Sequence, residues 1–204
     1  MGNRAVITTP AREMGVYLHW NGGRDSVEPF LRYCEMSGFR SPDRDPYGWA
    51  RLVQVVANFF GGDGLSVGVA PYAGDECENP GDNGIYIVEG WEIVGRVYPW
   101  EDFEEQDGYD LREFLRSIDG NQPEGMRLGA EFIDMWLDGE EVEPSALEVG
   151  DSVLVGRNVC EVAGFVDEDD RWAGGLPFVM APCEWDPKGS REVIRRAVKC
   201  TKRR

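Results

Sequence analysis

The chain has 204 residues, 42% hydrophobic and 11% aromatic, which is enough to bury a core and excludes a disordered polymer. Lys and Arg total 21 against 38 Asp and Glu, a net charge of −17, which argues against direct nucleic-acid binding. No apolar run approaches the roughly 18–20 residues of a membrane span, and the opening MGNRAVITTP lacks a signal-peptide core, so a cytoplasmic protein with no membrane partner is expected.

Residues 5–9 are short and β-rich, and GVYLHW (15–20) follows a polar connection, so the two are expected to form a hairpin. Asp25 or Ser26 then caps a helix over about 26–37, with Pro29 in its first turn and Gly38 past its end. Asp45 and Pro46 repeat that signal for a helix over about 46–60, where Trp49, Leu52, Val53, Val56, Phe59 and Phe60 recur at helical spacing. LSVGVA (65–70) reads as a strand and 71–84 as a long polar loop. Residues 85–88 and 91–97 read as a hairpin turning at Glu89–Gly90. Residues 111–118 and 128–137 have helical patterns. Beyond Pro144 the texture becomes short strands with Gly-rich turns, which suggests a small barrel. REVIRRAVK (191–199) reads as a basic helix. The expected fold class is α+β. A mixed N-terminal sheet with two helices (1–125) precedes a smaller β-rich, barrel-like unit (144–187) and a basic C-terminal helix or tail (188–204).

The charge is unevenly spread. Residues 1–60 carry a net +1, residues 61–187 a net −25 and residues 188–204 a net +7. The acid concentrates in three clusters: Glu101, Asp102, Glu104, Glu105, Asp107 and Asp110; Asp138, Glu140, Glu141 and Glu143; and Asp167, Glu168, Asp169 and Asp170. Such density either serves solubility alone or forms a working surface for a protein that normally binds nucleic acid, since duplex DNA carries a charge every roughly 1.7 Å. The basic tail can touch nucleic acid, fold back on the acidic body, or serve as a solubilising end.

Catalytic chemistry is thinly represented. His19 is the only histidine, which excludes His-rich metal sites. Cys34, Cys77, Cys160, Cys183 and Cys200 have no metal-ligand or disulfide spacing and are expected as reduced thiols. No cofactor is expected. The segment His19, Trp20, Asn21, Gly22, Gly23 and Arg24 lies between a strand and a helix N-terminus. There backbone N–H groups, a cation and a stacking ring suit a phosphate or nucleotide, although two glycines before a helix are also ordinary turn chemistry. The oxygen-rich loop 73–84 lacks EF-hand spacing. The aromatics Trp91, Tyr98, Trp100, Trp136, Trp172 and Trp185 are expected in packing roles rather than as a base-stacking platform.

MGNRAVI, VYLHWNGGRDSVEPFL, YGWARLVQVVANFFGG, GLSVGV and DNGIYIVEGWEIVGR together resemble a group of small accessory proteins carried by phages and conjugative elements of gut bacteria. The likeness covers roughly residues 1–100 and carries no catalytic motif. It implies a mobile-element context, in which accessory proteins often inhibit host defence as anti-CRISPR or antirestriction factors. The resulting expectation is a non-enzymatic acidic inhibitor of a host nucleic-acid-binding defence protein or complex, working by nucleic-acid mimicry. The alternative is a module that binds a nucleotide or second messenger at 19–24, and a carboxylate-based hydrolase ranks third.

Overall fold

The computed structural model describes residues 3–61, 66–72, 74, 81–105, 108–142 and 146–165, together with the backbone of 176–180, 191–194 and 197–199. The chain divides into two compact units, residues 1–127 and 128–204. Both contain helices and strands, and the protein is α+β.

The first unit is a five-stranded mixed sheet with three helices. Its strands are β1 (Ala5–Thr8), β2 (Met14–Leu18), β3 (Val67–Pro71), β4 (Ile85–Glu89) and β5 (Glu92–Val97). They lie in the order β3-β2-β1-β4-β5. β1 and β2 form the expected antiparallel pair, and β1 runs parallel to β4, which makes the sheet mixed. The register puts Ala5, Ile7, Val16, Leu18, Tyr86 and Val88 on one face, and all six are buried. The β4–β5 hairpin turns at Gly90–Trp91, one residue later than expected. Both residues have positive φ (61° and 79°), as tight hairpins matching the strand twist require. The Trp91 indole is buried and donates to the Phe39 carbonyl at 2.8 Å, which holds this unusual backbone.

Helix α1 (Arg24–Met36) buries Val27, Phe30, Leu31 and Cys34. It starts two residues before the expected position because the Gly23 carbonyl accepts the first bonds, from the N–H groups of Ser26 and Val27. Gly23 is therefore the cap, and Pro29 sits a turn further in. Helix α2 (Pro46–Phe60) starts as its sequence dictates: the Asp45 carboxylate accepts from the Tyr47 N–H at 2.8 Å and Pro46 leads the helix. Helix α3 (Leu111–Asn121) is capped by Asp110, which accepts from the Glu113 N–H. Phe30, Phe59 and Phe114 meet between the three helices with centroids 5.3–5.9 Å apart. Behind them the buried Tyr33 hydroxyl donates to Asp119, and the Gln122 side chain joins Asn58 and two backbone carbonyls.

Gly22 fixes where α1 meets the sheet. Its N–H donates to the Asn3 carbonyl at 2.8 Å and its carbonyl accepts the Tyr86 hydroxyl at 3.0 Å. A Cβ there would lie 2.6 Å from the Ala5 nitrogen and the Arg4 carbonyl carbon, both backbone atoms that cannot swing aside. Gly22→Ala should therefore lower the stability of the first unit by about 2–3 kcal/mol. Urea unfolding checks this, and a loss under about 0.5 kcal/mol would show the approach to be slack.

The second unit holds α4 (Ala130–Asp138) and strands β6 (Glu140–Val142), β7 (Ser152–Val155), β8 (Asn158–Phe165), β9 (Leu176–Met180), β10 (Arg191–Ile194) and β11 (Ala197–Lys199). They form a sheet in the order β10-β9-β8-β7-β11-β6. The sheet is open, so the expected barrel does not close. Its core joins Leu147, Val153, Cys160 and Val162, with Val142 and Val155 beside them. Residues 191–194 and 197–199 are strands and not the expected basic helix. Val193, Ile194 and Val198 are β-branched, and sheet partners are available on β9 and β6. The tail thus folds back on acidic sequence: β11 pairs with β6, with Lys199 opposite Glu140 and Val198 opposite Glu141.

Candidate interaction surface

The first acidic cluster follows β5 in the first unit, and the structure divides it by role. Glu101, Asp102 and Glu104 are exposed. Asp110 is exposed and caps α3. Asp107 lies outside the described residues. Glu105 turns inward: its carboxylate is 17% exposed and takes ion pairs from Arg24, at 2.8 Å, and from Arg96.

Arg96 is the anchor of this segment. Its side chain is 7% exposed, its guanidinium stacks 3.6 Å from the centroid of the buried Tyr86 ring, and one N–H donates to the Asn83 carbonyl at 2.5 Å. Burial depresses the arginine's proton affinity and raises that of the Tyr86 phenol, so Tyr86 stays neutral beside it. Gly84 lets the chain leave β5 closely packed, since a Cβ there would collide with the Val97 carbonyl and touch Pro99.

Between Arg96 and Glu105 the chain displays aromatic rings. Tyr98 is 49% exposed and Trp100 is 53% exposed. Both rest on Phe103, with centroids 5.5 Å and 5.6 Å away. Against the expected packing roles, Tyr98 and Trp100 stand outward, immediately ahead of the exposed Glu101, Asp102 and Glu104. Trp91 and Trp136 do pack, the latter stacked on Phe132 at 6.1 Å. Trp172 and Trp185 lie outside the described residues. The nearness of rings and acids is visible in the order of the letters, but the outward orientation is not.

The 19–24 segment is built differently from an open cradle. His19 and Trp20 are exposed, with the imidazole edge-on to the indole at 5.2 Å and bonded to the Tyr17 hydroxyl. The Asn21 side chain donates to the Ser26 hydroxyl, and Gly22 and Gly23 are buried in backbone contacts. Arg24 is matched by two carboxylates, Glu28 at 3.0 Å and Glu105 at 2.8 Å.

Glu28 also accepts the Tyr109 hydroxyl at 2.6 Å. Burial pushes the Glu28 carboxyl upward, but the bonds from Tyr109 and Arg24 and the charges of Arg24 and Arg32 outweigh it, so its proton affinity falls below the ordinary glutamate range. Burial, and then the bond to Glu28, push the Tyr109 phenol upward. A carboxylate held low stabilises the fold above its unfolded-state value and gives that up as pH falls through the folded value. Glu28→Gln should flatten the acid limb of stability against pH below the ordinary glutamate range. An acid limb identical to wild type in urea unfolding would contradict this.

In the second unit Asp138, Glu140 and Glu141 are exposed, at the end of α4 and on β6. Glu143 and the third cluster, 167–170, lie outside the described residues, as do Cys77, Cys183 and Cys200. Cys34 and Cys160 are buried, and burial pushes the Cys34 thiol far up, which suits a core residue and not a nucleophile. Among the described residues no group of three His, Cys, Asp or Glu is arranged to hold a metal ion, and no helix is long and apolar enough to cross a membrane.

No protein-family model, curated protein or solved structure matches the chain.

Proposed function

We propose that the chain is a non-catalytic interaction protein whose loop at 98–104 docks on the cationic surface of a nucleic-acid-binding protein and keeps nucleic acid off it. The observation that carries this reading is the display of Tyr98 and Trp100 among Glu101, Asp102 and Glu104, on a segment tied down by the buried Arg96–Glu105 pair. Partly exposed aromatics supply the anchors of protein interfaces, and carboxylates around them steer a basic partner and match its guanidinium groups. The net charge of −17 extends the attraction beyond the loop. The resemblance over residues 1–100 supplies the target class: a host defence nuclease or a CRISPR complex, inhibited from a phage or conjugative element by nucleic-acid mimicry.

The test is competition. Tagged protein captures its target from a defence-competent bacterial lysate at low salt, and duplex DNA is then added. Release of the target by DNA, and by raised salt, is expected. A target that DNA leaves in place would refute mimicry.

A further inference from the structure

We propose that the chain pairs with a second copy of itself along the free edge of β3, joining two five-stranded sheets about a two-fold axis. β3 is the outermost strand beside β2, and no described strand lies beyond it. At its ends the His19 N–H donates to the Ser66 carbonyl at 2.9 Å, and the Tyr72 N–H donates to the Glu13 carbonyl at 3.0 Å. Antiparallel bonding alternates along a strand, so Gly68 and Ala70 also bond β2, opposite Tyr17 and Gly15. The N–H groups of Val67 and Val69 and the carbonyls of Val67, Val69 and Pro71 therefore point outward. Pro71 has no N–H to leave unmet. This row is complementary to itself. With Val69 opposite the partner's Val69, the Val69 N–H meets the carbonyl of the partner's Val69, and the Val67 N–H meets the carbonyl of the partner's Pro71. Every outward donor on both strands is then satisfied, and the two-fold closes the contact.

Charge favours a second copy as the occupant. Edge strands that stay single are commonly blunted by charged side chains and bulges. The opposite edge, β5, has both: it carries Glu92 and Arg96, and its register against β4 shifts between Ile87 and Val88. β3 has neither. It pairs with β2 in regular register over all five residues, Val69 is 49% exposed, and Ala70 and Pro71 are exposed. Residues 64–74 contain no charged side chain, in a chain where 29% of residues are charged. Helix α2 packs against β3, and Arg51 is the one charged residue in its sequence. Its half-buried Val53, Ala57 and Phe60 recur at helical spacing and add apolar surface to this flank. Two chains of net charge −17 repel each other and meet most readily where carboxylates are absent, as they are from β3 and α2. An antiparallel strand facing its own copy also sets each side chain against an uncharged neighbour.

Sedimentation equilibrium of the full chain from micromolar to millimolar concentration tests this. The wild type should pass from monomer to dimer. Val69→Lys, which sets two like charges opposite each other, should raise the dissociation constant about tenfold or more. Val94→Lys, an equally exposed position on β5, should leave it unchanged. Amide exchange of the wild type gives a second reading that needs no variant. Exchange at Val67 and Val69 should slow as concentration rises, while Gly68 and Ala70, bonded to β2, keep the same rates. A chain that stays monomeric throughout would overturn the proposal and leave the edge to a strand from another protein. A dimer that Val69→Lys weakens less than twofold, or exchange at Val67 and Val69 that ignores concentration, would overturn it as well. None of these readings depends on the target of the loop at 98–104.

Discussion

Arg96→Leu should cost the first unit about 3–5 kcal/mol, because it leaves the Glu105 carboxylate sequestered with one of its two cations gone. The buried phenol of Tyr86 also loses the guanidinium stacked on it. Arg24→Gln removes the other cation, yet that side chain is 37% exposed and solvent screens what it does, so its loss should stay at or below about 1 kcal/mol. The contrast is the prediction. Two arginines hold one carboxylate, and the buried one governs stability. Urea unfolding of both variants decides it, and equal losses would show the anchor to be an ordinary surface network.

The second large effect is on binding, and the loop's two kinds of residue should show different kinetics. Trp100→Ala removes an anchoring ring and should weaken target binding by about 2 kcal/mol or more, roughly thirtyfold, almost wholly through faster dissociation. Amidating the rim carboxylates, as Glu101→Gln, Asp102→Asn and Glu104→Gln together, should instead slow association by roughly ten- to a hundredfold at low salt, with little effect at high salt. The folded core should be untouched, since all four side chains stand outside it. Surface-plasmon kinetics on the captured target separates the two. Slower association in Trp100→Ala with unchanged dissociation would mean the ring is not buried in the complex.

What the sequence disclosed depended on how local the signal was. Asp45 and Pro46 specify the start of α2 within three residues, because cap and ring act on adjacent backbone. The β4–β5 hairpin was visible in its alternating apolar letters, and only its turn was misplaced, by one residue. The α+β class followed from such local patterns. Glu105 is a different case. Nothing beside it in sequence separates it from Glu104, and it turns inward because Arg24, 81 residues away, and Arg96 meet there. Tyr98 and Trp100 resemble core residues by composition, and they face outward because Phe103 packs beneath them and the chain has already left β5. The C-terminal strands carry a helix-like pattern in sequence because their alternation is short and their sheet partners, β6 and β9, are not adjacent to them in the chain. The acids of 101–110 cluster in sequence, while tertiary pairing decides which of them face solvent.

The most direct measurement compares capture by the wild-type chain and by the fourfold variant Trp100→Ala, Glu101→Gln, Asp102→Asn, Glu104→Gln, from the same defence-competent lysate at low salt. The account predicts a nucleic-acid-binding protein held by the wild type, released by duplex DNA, and missing from the variant. A variant that retains the same protein at the same level would contradict it.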